Sequence, residues 1–247
     1  MIFLGLVYLP ITILHLLTTG QFHKLFSLKA FKDAWFGRFW VFFGPKSRAL
    51  GFPSVEPLLA KANGVVLDIG PGDGQWMDLF SRANNKNHIS RIYGVEPNAE
   101  LHAGLRRRVQ EAGLEGVYEI LPVGVESLDG CGIEKGSVDT IVTVQVLCSV
   151  PDPQKILKEL YPYLKPGGQW LVYEHVRTKY RDAFVARWQE SIDVVWPHMF
   201  DGCNLSRPTD EWLLQTGEWD EVDLRSGEDE GKYAVVPHAI GRLVKRR

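Results

Sequence analysis

Cysteine is scarce in this chain. Its 247 residues include three: Cys131, Cys148 and Cys203. An odd number at unrelated spacings gives neither a disulfide framework nor a zinc-ligand pattern, so the folded domain is expected in a reducing compartment with no metal. An excess of one charge is also missing. There are 28 Lys and Arg against 30 Asp and Glu, a net charge of −2, which gives no electrostatic case for nucleic acid as a partner. The basic run Arg106-Arg107-Arg108 lies in a helical pattern and reads as a solvated helix face. The acidic run from Ser226 to Lys232 reads as an exposed hairpin loop. A full membrane span is lacking too. Residues 1–17 carry no charged side chain, but the run stops about one residue short of the roughly 18 that a spanning helix needs, and Pro10 and His15 interrupt it. A secretory signal peptide is the first alternative, but no basic region precedes the run and no small-x-small cleavage pattern comes before Gln21.

What is present is a strand, a glycine turn and a helix. Val65-Val66-Leu67 is an apolar run that ends at Asp68. The chain then breaks into Gly70-Pro71-Gly72-Asp73-Gly74 and resumes as a helical pattern with Trp76, Met77, Leu79 and Phe80 on its apolar face. This is the opening of a nucleotide-binding α/β unit, whose glycines let the backbone turn sharply and a ligand approach without a Cβ in the way. A second strand, Arg91 to Val95, ends at Glu96 and is followed by Pro97. An acidic side chain at that distance from the turn is placed to accept hydrogen bonds from ribose hydroxyls; the alternative is a solvated strand end. A third short strand ends at Pro122. Val138 to Val144 is a buried fourth strand, and Gln145 to Val150 is the loop at its carboxyl end. Asp152 caps a helix carrying Ile156, Leu157 and Leu160. Leu164 to Gly168 stops that helix with a Pro-Gly-Gly turn, and Trp170 to Tyr173 is the fifth strand. Strands alternating with helices imply a doubly wound sheet with its ligand at the carboxyl ends of the strands. At 45% apolar, the chain can bury one sizeable core.

The order D-x-G-x-G-x-G from Asp68 to Gly74 departs from the dinucleotide fingerprint and resembles motif I of class I S-adenosylmethionine (SAM) methyltransferases. The stretches LCSVPDP (residues 147–153), YEHV (173–176), WPHMFDGCNLSR (196–207) and VPHAIGRLVK (236–245) resemble the microsomal alkyl-thiol methyltransferases. The resemblance implies a Rossmann-like, seven-stranded α/β sheet with helices on both faces. It also implies SAM as cofactor, held by Asp68, Gly70, Gly72, Gly74, Glu96, Pro97 and Gln145. Gly124 stands where the family most often has an acid on the adenine amine. Either the Val125 amide covers the ring there, or Glu126 reaches the amine. The implied acceptor is a small lipophilic thiol. Methylation of oxygen, nitrogen or carbon on a lipid, quinone or secondary metabolite is an alternative within the same chemistry, and a non-catalytic membrane scaffold is one outside it.

Residues 1–44 are expected to form a membrane-associating segment and residues 45–247 the methyltransferase domain. Phe22 to Gly44 interleaves Lys and Arg38 with Trp35, Phe36, Phe39, Trp40, Phe42 and Phe43, a composition suited to the headgroup boundary. Basic residues beyond the apolar stretch would keep the domain on the cytosolic side. With the resemblance, this places the protein at the endoplasmic reticulum or lipid-droplet membrane. Candidate bases are His175 at the end of the fifth strand, His198 in the aromatic stretch and, less directly, His238. A thiol with a pKa of about 8 to 9 is a few per cent thiolate at neutral pH, so a base is optional.

Overall fold

The computed structural model describes residues 1–82, 88–227 and 230–247. Helix α1 (Ile2–Thr18) is followed by a 3-10 turn and by helix α2 (Leu28–Leu59). Then come β1 (Gly64–Ile69), α3 (Met77–Ser81), β2 (Ile89–Val95), α4 (Ala99–Glu111), β3 (Tyr118–Leu121), β4 (Val138–Val144), α5 (Pro153–Leu160) and β5 (Leu164–His175). The chain ends with α6 (Phe184–Ile192), α7 (Trp196–Met199), α8 (Thr209–Leu214), β6 (Trp219–Ser226) and β7 (His238–Lys245).

The seven strands form one sheet in the order β3-β2-β1-β4-β5-β7-β6. The first five are parallel, and β7 pairs antiparallel with both β5 and β6. Alternate residues face opposite layers. Leu67, Ile141 and Val172 pack with α5 and α8 on one side, and Val66, Val142 and Leu171 pack with α2, α3 and α4 on the other. Burial on both faces is why these strands read as continuous apolar runs. Strand order reverses between β1 and β4, which opens the crevice at their carboxyl ends.

The expected fourth strand agrees residue for residue with β4. The fifth does not. β5 begins at Leu164, so the Pro-Gly-Gly turn lies inside it, and the pairing skips from Val138–Leu164 to Thr140–Gln169. Helix α5 gives way instead to a 3-10 turn at Tyr161–Tyr163.

The N-terminal segment is continuous with the rest of the fold. Among the described residues no helix is long and apolar enough to cross a membrane. At 17 residues α1 is about 26 Å long, against a hydrocarbon thickness of about 30 Å. Helix α2 runs unbroken through residues 44 and 45 and contributes Val55, Leu58 and Leu59 to the core. Part of the aromatic segment turns inward. The Trp35 indole donates to the Gly5 carbonyl at 2.9 Å, and Trp35 and Phe39 form a third apolar cluster with Trp196, Phe200, Cys148 and Cys203. Phe3, Leu14, Phe22, Phe26 and Leu28 remain exposed.

Two charge runs are not simply solvated. Arg106 and Arg107 are exposed, but Arg108 turns in to the buried Asp73, donating to its carbonyl at 2.7 Å and to its carboxylate at 2.5 Å. In the acidic run, Glu228 and Asp229 lie outside the described residues, and Glu230 bonds the ring and backbone nitrogens of His238.

Arg108 therefore fastens α4 to the glycine turn. Arg108→Met leaves the Asp73 carboxylate buried without its cation. Arg108 is itself partly exposed, so the expected loss is about 2–3 kcal/mol, below that for a fully buried pair. Urea unfolding of the two proteins checks it, and a difference under about 0.5 kcal/mol would mean that the pair is screened like a surface bridge.

Candidate active site

The glycine turn leaves β1 with Gly70, Gly72 and Gly74 all at positive φ, between 61° and 85°. That left-handed backbone region disfavours any residue with a Cβ. Asp68 is buried below the turn, where its carboxylate accepts from the Tyr118 hydroxyl at 2.8 Å. Burial pushes its pKa up to about 7 against that hydrogen bond. Glu96, at the end of β2, is only 5% exposed, which removes the solvated-strand-end alternative. Its carboxylate accepts from the Gly72 amide at 2.9 Å and the Asn98 amide at 2.8 Å, and burial pushes its pKa up to about 7 as well. Pro97 follows, exposed.

At the far side of the crevice, Val125 is buried at the start of a 3-10 turn and Glu126 is exposed. A Cβ built on Gly124 would come 2.3 Å from Glu126 Oε1. The Glu126 carboxylate thus occupies the place of the side chain that Gly124 lacks.

These residues fit SAM. The turn is a cradle that a Cβ would fill, since one on Gly72 would sit 2.9 Å from Trp40 Nε1. That indole nitrogen is buried and has no hydrogen-bond partner, so a polar group arriving beside the turn would satisfy it. The free space along the turn is about 20 Å³. As it stands this space is too small for a nucleoside, and Trp40 is the lining side chain that also borders the next cavity. Helix α2 carries Trp40 and is held to the turn by Arg48, which bonds the Gln75 carbonyl and the Asp78 carboxylate.

Beyond Trp40 lies a second cavity of about 320 Å³. Its walls are aromatic (Phe36, Phe39, Trp196 and Phe200 among them), and its floor is made by Gln145, Cys148, His175, Cys203 and His238. Among the described residues no Asp, Glu, Lys or Arg lines it. Gln145 and Trp40 border both cavities and form the wall between them. Gln145 is held at a φ of 57°. Its side-chain oxygen accepts from Ser47 at 2.7 Å, and its amide nitrogen lies 3.1 Å from His175 Nε2.

His175 sits where expected, at the end of β5, directly across the β5–β7 ladder from His238. Its Nδ1 is 3.7 Å from the Cys203 sulfur. Burial lowers its pKa, but the hydrogen bond to Cys148 and the charges of Cys148 and Glu174 outweigh that, and the net shift is upward. His238 shifts downward through burial, which its Glu230 partner only partly offsets. His198 is exposed on α7, in a surface hollow with Lys32 and Asp201, and does not line the cavity.

Several site residues are marked weakly or not at all in the sequence. Cys148 is a small buried side chain, as free cysteine usually is, yet it also faces the cavity beside Cys203 and His175. The three come from the loop after β4, the end of β5 and the segment after α7, with no shared spacing. Glu174 is fully buried and accepts from the amides of Val146 and Leu147 at 3.0–3.1 Å. An acid next to His175 in an otherwise apolar strand was its only signal. Trp40 had none beyond its place in an aromatic run.

Residues 48–212 match a family model described as a methyltransferase domain. The chain is 37% identical to the Homo sapiens thiol S-methyltransferase TMT1B, over 81% of this chain and 78% of that one. It is 35% identical to the Homo sapiens thiol S-methyltransferase TMT1A, over 73% and 70%. Among solved structures, the [4+2]-cyclase SpnF superposes with a TM-score of 0.59 at 18% identity, covering 78% of this chain and 80% of that one. A SAM-dependent methyltransferase from Thermotoga maritima, described as a possible histamine N-methyltransferase, gives 0.54 at 21%, covering 85% and 98%. At these identities the two structures speak for the fold alone.

Three buried carboxyls, Asp68, Glu96 and Glu174, have pKa values raised to about 7, 7 and 8 from 3.8, 4.5 and 4.5. As pH rises, the unfolded chain loses these protons before the folded one does. In the ligand-free protein these three groups therefore contribute most below about pH 4, and that stability is lost as pH rises towards 8. Glu96→Gln should make that slope shallower. Urea melts across this range test it, and an identical slope in the variant would mean that Glu96 ionises freely in the folded protein.

Proposed function

This chain belongs to the methyltransferase-domain family, and we propose that it moves a methyl group from SAM to the sulfur of a small lipophilic thiol. The observation that carries this reading is the aromatic cavity beside the glycine turn, bordered like the turn itself by Gln145 and Trp40. The 35–37% identical relatives named as thiol S-methyltransferases support the choice of sulfur.

The protein's tasks are to hold the two partners in line, to exclude water and to admit an uncharged acceptor. SAM supplies a methyl already activated on a sulfonium. Gly70, Gly72 and Gly74 let it lie against the backbone. Glu96 is placed for the ribose, once its carboxylate exchanges the Gly72 amide for hydroxyls, and Glu126 for the adenine amine. The aromatic walls exclude water. A protonated amine would lose its hydration in this cavity without gaining a counter-charge, and an alcohol would need a strong base that the lining lacks. A thiol needs neither, because its anion is accessible near neutral pH. The intact turn and Glu96 speak against a non-catalytic scaffold.

The same reading extends to a membrane surface. The outer faces of α1, the following 3-10 turn and α2 expose Phe3, Leu14, Phe22, Phe26 and Leu28. Basic residues lie nearby, and Met1 and Leu50 stand in the lining of the acceptor cavity. A helix lying flat at the headgroup level, with the cavity drawing acceptors from the lipid of the endoplasmic reticulum or a lipid droplet and the domain in the cytosol, accounts for this arrangement.

Incubation with isotope-labelled SAM and a panel of thiols, phenols and amines tests the acceptor. Methyl thioethers are expected, and at subsaturating thiol the rate should rise with pH to a plateau. The midpoint should move downward when a more acidic thiol is used. Turnover of phenols with none of thiols would overturn the acceptor, and a midpoint fixed near 6.5 for every thiol would point to a histidine base instead. The membrane reading is tested separately by flotation with phospholipid vesicles. The full chain should float, and a chain lacking residues 1–20 should stay behind while still binding SAM. A full chain that remains in the aqueous fraction would end that reading.

A further inference from the structure

The floor of the acceptor cavity holds two thiols and an imidazole. The ligand atoms of Cys148, His175 and Cys203 lie within 4.8 Å of one another, and all three residues face the cavity. Zinc binds sulfur at about 2.3 Å and imidazole nitrogen at about 2.0–2.1 Å, so a tetrahedral site has edges of roughly 3.8 Å between sulfurs and roughly 3.6 Å from sulfur to nitrogen. The one edge measured here, Cys203 Sγ to His175 Nδ1, is 3.7 Å. Three ligands make one face of a tetrahedron. The fourth vertex is then free for a group from the cavity, the arrangement of catalytic rather than structural zinc sites.

Second contacts agree. A ligating histidine needs a partner on its other ring nitrogen to fix the tautomer. His175 Nε2 has one in the Gln145 side-chain amide at 3.1 Å: with that amide turned over, its oxygen accepts from Nε2–H and its nitrogen donates to Ser47 Oγ, which leaves Nδ1 free for the metal. The backbone is fixed as well, since the Asn204 amide donates to the Cys148 carbonyl at 3.0 Å and ties the two cysteine-bearing segments together. Two thiolates and a divalent ion sum to zero charge, which suits a site among Trp35, Phe39, Trp196 and Phe200.

We infer that Cys148, His175 and Cys203 form a binding site for a soft divalent cation of the zinc class, whose open position takes the sulfur of the acceptor thiol. The site stands on geometry alone; its role towards the acceptor rests on the thiol reading above. On binding, the acceptor's S–H bond breaks, its proton passes to solvent, and the electron pair left on sulfur forms the bond to the metal. The sulfur beside the cofactor crevice is then a thiolate held in one position. After methyl transfer it becomes a neutral thioether, a poorer ligand, and leaves.

Zinc and cobalt(II) are the probes, added to the purified full-length protein in detergent. After desalting, about one Zn²⁺ per chain should remain by elemental analysis. Cobalt(II) should give the intense visible bands of a four-coordinate ion together with sulfur-to-metal charge-transfer absorption. An acceptor thiol should shift the cobalt bands, and the corresponding alcohol should not. Cys203→Ser should weaken metal retention at least tenfold and lose charge-transfer intensity while still binding SAM. Cys148→Ser and His175→Asn serve in its place if that variant fails to fold. Zinc retained no better by the parent than by a folded variant, or cobalt spectra without charge transfer, overturns the site. Cobalt bands that ignore every thiol while thiols are turned over overturn the role towards the acceptor. A cobalt site that forms in a protein methylating phenols alone upholds the site and overturns the thiol reading.

Discussion

Glu174 carries no charge to the surface and touches neither cavity wall, yet both cavities depend on it. Its carboxylate at the end of β5 accepts from the amides of Val146 and Leu147, the first turn of the loop that leaves β4. Those bonds clamp two adjacent strand ends into one rigid piece. The clamp sets Gln145 at its left-handed φ, seats Cys148 on the cavity floor and keeps His175 next in line on β5. Burial pushes the Glu174 pKa up to about 8, while the amides pull the other way. A carboxyl kept here against its own solvation is there for the alignment it imposes.

The site is assembled from elements with unlike sources of order. The glycine turn is fixed by the sheet and by Arg108 on Asp73. The acceptor cavity is closed by parts outside the sheet: α2 from the N-terminal side and the segment from α6 to α8 from the other. Aromatic contacts such as Phe39 on Phe200, at 5.0 Å between ring centroids, join those two covers. Specificity for the acceptor thus sits in a roof that can vary while the cofactor side stays on the common scaffold.

Much of the sheet could be read from the chain because period and punctuation agree there. β4 is buried on both faces and, Asp139 apart, made of β-branched residues, and Asp152 caps the helix after it. The Pro-Gly-Gly turn misled, because a strand next to a bulge tolerates the residues that otherwise end helices. Arg108 looked like its two neighbours, and only the helix phase, which turns it towards Asp73, sets it apart. The N-terminal aromatics were legible only in part. Composition places such residues at an interface but does not say whether the apolar partner is lipid or the protein's own insertion. Cys148, His175 and Cys203 meet only through tertiary structure, and no local spacing announces them.

Trp40 and Gln145 belong to both cavities at once. A wall with two sides cannot move for one occupant without changing the space offered to the other. Whatever free energy SAM spends in displacing the Trp40 indole is spent once, and an acceptor arriving afterwards meets a wall already shifted. Thermodynamic reciprocity then requires the acceptor to alter SAM affinity by the same factor. Coupling of that kind runs through the shared wall and needs no change in the sheet that carries it.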